Sequence, residues 1–189
     1  MLTRTAKTTV LAVVSLLGVG LASACDEAEP PPPTPPPTSM EQIDRMAAQN
    51  RTPDPDAVGV VLTNIALTRG DSTDKVTLGF TGDAVPGWAV HYVRQAVQNT
   101  TQAILPIAGE SVIEVLVREA ANPFGSAAPR YSGPETLTDP ATMSVGEVRF
   151  AGEVRGVTQV FIGLRTPQRG FRVTGLSDPT RVVVEIDHR

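Results

Sequence analysis

The chain has 189 residues, with 16 basic and 20 acidic side chains, a 41% apolar share and one cysteine. The acidic balance argues against nucleic acid and against a polybasic grip on anionic lipid as partners. The lone cysteine leaves no disulfide within the chain, and the length suits one domain with a tail.

Met1 to Lys7 is a short basic segment, followed by an apolar run from Val10 to Leu21 and then Ala22-Ser23-Ala24-Cys25. Basic flank, apolar stretch and small-residue cut are the three parts of a secretory signal. The apolar run is shorter than the roughly 20 residues of a stable membrane span. The segment resembles a bacterial lipoprotein signal, in which the cysteine thiol takes a diacylglycerol and becomes the mature N-terminus. Such signals commonly carry Leu three residues before Cys, where this chain has Ala22, and Ala22-Ser23-Ala24 also fits an ordinary A-x-A cut. Both readings cleave between Ala24 and Cys25 and differ only in the lipid, which adds palmitate-type acyl chains to Cys25 in the first. Removing Arg4 and Lys7 with the leader takes the 16 basic residues to 14 against 20 acidic, a net −6.

Residues 25–57 read as a disordered, Pro-rich linker. Pro30 to Pro37 is proline apart from Thr34, which favours a stiff polyproline II rod rising about 3.1 Å per residue. Met40 to Ala48 can form one or two helical turns with Ser39 as N-cap, but so short a helix is marginal alone. The linker at full stretch spans on the order of 100 Å. It reads as a spacer, with a docking site for a proline-binding groove as the weaker alternative.

From Val58 the pattern turns to period two. Val58, Val60 and Leu62 alternate, as do Val76, Leu78 and Phe80, then Trp88, Val90 and Tyr92, then Ile113, Val115 and Val117. Val148 and Phe150 follow, then Val160, Ile162 and Leu164, then Phe171 and Val173, then Val182, Val184 and Ile186. Short β-branched and aromatic runs separated by turn residues predict an all-β fold: a compact β-sandwich of short, mostly antiparallel strands over residues 58–189. Val90 to Thr100 has a helical alternative, since Val90, Val93 and Val97 share a face. Residues 120–143 form the longest irregular stretch, a length that often marks a functional loop or a lid.

Four blocks carry a family resemblance. They are Val76 to Gly82 with Pro86 to Val93; Leu105 to Gly109 leading into Val112 to Val115; Val148 to Gly152 with Gly156 to Leu164; and Phe171 to Val173 through Leu176 to Ile186. They resemble the AMIN-like domain of envelope lipoproteins of high-GC Gram-positive (actinobacterial) bacteria. The most specific is the last, where Asp178-Pro179-Thr180-Arg181 enters an apolar final strand. The resemblance implies a β-sandwich outside the cytoplasm. AMIN relatives are linked with binding cell-wall glycan and with localising partners.

Few side chains suggest chemistry. Arg181 can hold an anionic wall group in a bidentate manner, although the turn before it favours a structural role in which it pairs locally or stacks on the sheet. Trp88, His91 and Tyr92 can stack on sugar, but Trp88 and Tyr92 share the apolar phase of Val90, so core packing is favoured. His91 falls on the other face and reads as merely exposed. His91 and His188 are far apart in sequence, and Asp71, Asp74 and Asp83 match no calcium loop, so solvated turns explain the acids and no metal or other cofactor is expected beyond the covalent lipid on Cys25. Gly175-Leu176-Ser177-Asp178 lacks the closing glycine of a nucleophile elbow. Glu114 and Glu185 can meet across strands as a carboxylate pair, which leaves an unrecognised hydrolase as a minor alternative. Arg69-Gly70-Asp71 matches an adhesion tripeptide by chance.

The expectation is therefore a lipid-anchored extracytoplasmic lipoprotein, not an enzyme. Its domain binds wall polymer such as peptidoglycan, or a wall-associated protein, with Arg181, His91 and Trp88 as candidate contacts. The rival is an interaction module that recruits an envelope enzyme through a sheet edge.

Overall fold

In the structure, a computed structural model, residues 46–54, 60–118 and 130–189 are described. The leader, Ala24, Cys25, the proline run and most of the expected helical turns over 40–48 lie outside the described residues. The strands run in chain order: β1 Gln49–Arg51, β2 Leu62–Arg69, β3 Thr73–Phe80, β4 Gly87–Val93, β5 Ser111–Arg118, β6 Thr136–Leu137, β7 Val145–Val154, β8 Val157–Leu164, β9 Phe171–Leu176 and β10 Arg181–Asp187. They form a six-stranded sheet in the order β1-β4-β5-β8-β7-β6 and a four-stranded sheet in the order β2-β3-β10-β9. Every neighbouring pair is antiparallel. The fold is the all-β sandwich that the alternation predicts.

The alternation works because side chains along a strand point to opposite faces, so one face of each sheet is apolar throughout. Val76, Leu78, Val182, Val184 and Ile186 of the four-stranded sheet meet Val90, Ile113, Val115, Val160 and Ile162 of the six-stranded sheet in one buried cluster. Each such side chain contributes roughly 1.5–3 kcal/mol when fully buried, which suffices for a core without disulfides.

Four local features depart from the sequence reading. Residues 49–51, composed like linker, pair with β4 through Gln49↔Val90, Asn50↔Ala89 and Arg51↔Trp88. The helical alternative over 90–100 does not form. Residues 87–93 are strand, paired on one side with β1 and on the other with β5, and the segment beyond them is a turn closed by the isolated Val97↔Ile104 bridge and by Leu105 N–H on the Ala96 carbonyl and Gln98 N–H on the Ala103 carbonyl. A register shift between Phe150 and Gly152 gives β7 one residue more than β8 at the outward-facing Ala151, so that Gly152 pairs with Gln159, as a bulge does. The described part of the long irregular stretch is partly ordered: β6 pairs with β7, and Tyr131 meets Phe150 edge to face at 5.0 Å.

Candidate ligand-binding face

The sandwich turns two unlike faces outward. Antiparallel register sets the outward residues of the four-stranded sheet in rows. One row is Asn64, Gly79, Arg181 and Leu176; the next is Ala66, Thr77, Val183 and Thr174; the third is Thr68, Lys75, Glu185 and Arg172. Lys75 Nζ lies 2.8 Å from Glu185 Oε1. Arg181 makes no hydrogen bond or ion pair among the described residues, so its expected local pairing does not occur. A depression of about 310 Å³ is lined by Lys75, Thr77, Thr174, Leu176, Arg181, Val183 and Glu185. A second, of about 560 Å³, lies at the end of the same sheet against the Gly70–Thr73 turn, Arg172 and Asp187. An apolar floor at Val183, hydroxyls at Thr77 and Thr174, and guanidinium and ammonium groups around them can take a polar, anionic ligand lying flat on the sheet.

The outer face of the six-stranded sheet is covered instead. Phe161 is fully buried there and packs with Ala96 and Ala151, with Leu105, Ile107, Val93 and Val112 around them. Gly163 lies beneath the carbonyl of Ala108, with no room for a Cβ. Polar clamps hold the covering segment. Gln159 Nε2 donates to the Val97 carbonyl at 3.0 Å and to Glu114 Oε1 at 2.6 Å, and its Oε1 accepts the Asn99 N–H at 2.8 Å. Glu147 Oε2 accepts the Ala108 N–H at 3.0 Å, and Arg149 Nη1 donates to the Pro106 carbonyl at 3.1 Å.

These two faces sort the sequence candidates. Trp88 is 7% exposed and lies in the core. A Cβ on Gly175 of the facing sheet would come within 2.7 Å of its ring. Tyr92 packs edge to face on Phe171 at 5.7 Å. Its hydroxyl donates to the Arg169 carbonyl and accepts the Arg169 N–H, both at 2.7 Å, and burial pushes its pKa up to about 12. His91 does occupy the opposite face, but it is not merely exposed: its Nε2 lies 3.2 Å from Glu114 Oε2. Glu114 and Glu185 stand on the outward sides of different sheets, so that carboxylate pair does not form. Among Arg181, His91 and Trp88, only Arg181 stands on the open face.

Asp74 corrects the reading of three solvated acids. Asp71 and Asp83 are exposed, whereas Asp74 is fully buried. Its carboxylate accepts N–H bonds from Met143 at 3.3 Å, Ser144 at 2.6 Å and Val145 at 2.9 Å, and His188 Nε2 lies 2.9 Å away. Burial works to raise its pKa; the hydrogen bonds from Val145, His188, Ser144 and Met143 outweigh it and hold the group below the ordinary 3.8. The signal was present in the sequence, since Asp74 shares the inward phase of Val76, Leu78 and Phe80. The cluster ties the end of β10 to the 142–145 turn rather than building a reactive site. Among the described residues no group of three His, Cys, Asp or Glu side chains is placed to hold a metal.

No curated protein and no solved structure matches the chain. Residues 60–188 match the AMIN-like domain, and the chain belongs to the AMIN-like family.

Proposed function

We propose that the chain is an extracytoplasmic lipoprotein, anchored by lipid on Cys25 after cleavage behind Ala24, whose AMIN-like domain is a non-catalytic module that binds cell-wall polymer. Family membership supports an envelope location, and the leader supports export and a lipid acceptor. The observation that carries the binding reading is the outer face of the four-stranded sheet, which nothing among the described residues covers and where Arg181, beside Thr77, Thr174 and Val183, has no hydrogen-bond or ion-pair partner among the described residues. A guanidinium on an ordered sheet with no partner among the described residues suits carboxylate or phosphate groups of wall polymer. Retention of the protein on purified wall sacculi tests this, with Arg181→Ala expected to lose retention at an unchanged melting temperature. No retention of the unaltered protein over a range of salt would remove the wall-binding reading. Cys25→Ser tests the anchor separately: the expected result is release from the membrane or an uncleaved precursor, and unchanged membrane retention sinks it.

One observation favours the rival reading. β2 runs for eight residues without proline or lysine, and among the described residues no strand pairs with its outer edge. The Phe80 N–H bonds the Thr180 carbonyl on the β10 side. Alternation therefore turns the backbone groups of Ile65 and Leu67 outward, where they can accept an added strand of an envelope protein.

A further inference from the structure

Met143 is 50% exposed; with Ile104 it is one of two exposed large apolar side chains among the described residues. Its backbone is nonetheless fixed. The Met143 N–H bonds the Asp74 carboxylate at 3.3 Å, beside those of Ser144 and Val145. The turn before it is closed on itself. Ala141 N–H bonds Asp139 Oδ1 at 2.8 Å, and Thr142 Oγ1 lies 2.6 Å from the Asp139 carbonyl and 2.7 Å from that of Val145. Methionine usually fills gaps in a core, whereas this thioether is held at the surface. Arg69 supplies its polar contact. Nη2 donates to Met143 Sδ at 3.3 Å and Nη1 to the Ala141 carbonyl at 3.4 Å. Arg69 is the last residue of β2, an edge strand of the four-stranded sheet, and the turn it reaches leads into β7 of the six-stranded sheet. The pair therefore ties one sheet to the other across 74 residues of chain.

A thioether is a weak hydrogen-bond acceptor, so the guanidinium and the sulfur are poorly matched. A sulfur within reach of solvent is also open to oxidation. With hydrogen peroxide, a sulfur lone pair attacks one peroxide oxygen; an S–O bond forms and the O–O bond breaks. Sulfur gives up two electrons and the peroxide takes them. The proton of the attacked oxygen passes to the departing hydroxide, which leaves as water. The product is a sulfoxide, whose oxygen is a polar acceptor. The side chain is unbranched and flexible, so rotation about its last bonds brings that oxygen to Arg69 Nη2. A hydrogen bond from a cation is roughly twice as strong as one between neutral groups. Sulfoxide formation inside a core disrupts packing, but a half-exposed side chain has little packing to lose.

We propose that Met143 is a modification site for peroxides, and that Arg69 captures its sulfoxide, so that oxidation tightens the tie between the two sheets. The test treats the full chain with hydrogen peroxide, follows each methionine-bearing peptide by mass spectrometry and reads the melting temperature. The expected result is one oxygen gained at Met143 ahead of the half-buried Met46, with a melting temperature higher by about 2 °C. Methionine sulfoxide reductase should return it to its starting value. In Arg69→Ala the sulfoxide should form without the rise, and in Met143→Leu peroxide should leave the melting temperature unchanged. Met143→Gln places an amide oxygen at similar reach without any oxidant. It should raise the melting temperature alone but not when combined with Arg69→Ala. A Met143 left intact while Met46 is converted overturns the proposal. So does a melting temperature that stays or falls on oxidation, or an equal rise in Arg69→Ala.

Discussion

The two sheets share one core and obey the same alternation, but their outer faces have opposite fates. Outward positions of the six-stranded sheet hold Val93, Val112, Gln159 and Phe161, and the 94–109 segment lies over them, pinned at Gly163 and by Gln159. Outward positions of the four-stranded sheet hold Lys75, Thr77, Thr174, Arg181 and Glu185, and among the described residues nothing lies over them. A large apolar side chain at an outward position signals a cover that must be anchored, whereas an ordered row of charged and hydroxyl groups signals a face left for solvent or ligand. The covered face is thus an extension of the fold, and the open face is where binding can evolve without disturbing the core.

The largest effect is expected on the covered side. Phe161→Ala removes the centre of the second buried cluster and should cost about 3–5 kcal/mol, read by denaturant titration. A change near zero would show that the cover is not part of the cooperative fold. Asp74→Ala, at the end both sheets share, leaves three backbone N–H groups and His188 without their acceptor. It should cost about 3 kcal/mol. Gly163→Ala drives a methyl into the Ala108 carbonyl and should cost about 1–3 kcal/mol, with faster amide exchange confined to residues 94–109.

The pH dependence follows from Asp74. Its folded pKa lies below 3.8, so the stability it supplies is fully present above the unfolded value and is lost as pH falls through the folded one. The melting temperature should therefore hold down to about pH 5 and drop at lower pH, with a shallower drop in Asp74→Ala. The smallest stability effect belongs to the open face. Arg181→Ala should change stability by less than about 0.5 kcal/mol while abolishing retention on sacculi. A large loss of stability with binding intact would make Arg181 a structural residue and erase the distinction between the two faces.

Much of the architecture was legible from local chemistry. The blocks Val76-Leu78-Phe80, Ile113-Val115-Val117, Val160-Ile162-Leu164 and Val182-Val184-Ile186 became strands because period-two burial is set by the backbone itself. Trp88 and Tyr92 were readable as core for the same reason. Asp74 was readable by phase and missed by type, since an acid is expected in water unless several donors converge on it. β1 was not readable: three polar residues beside prolines carry no strand signal, and they pair only because β4 offers an unfilled edge. Arg181 was legible as a candidate, but its lack of a partner among the described residues was not, because local turn chemistry says nothing of which charges stand across the sheet.

By itself the sequence determined the sandwich class, the inward phase of each main strand and the family, all of which follow from residue types at fixed local spacing. Only the tertiary structure decided which outer face is covered, that His188 meets Asp74 across 114 residues, and that Gln49 bridges to β9 across more than 120. Those outcomes depend on strand order and register, which bring together groups whose separation along the chain carries no periodic signal.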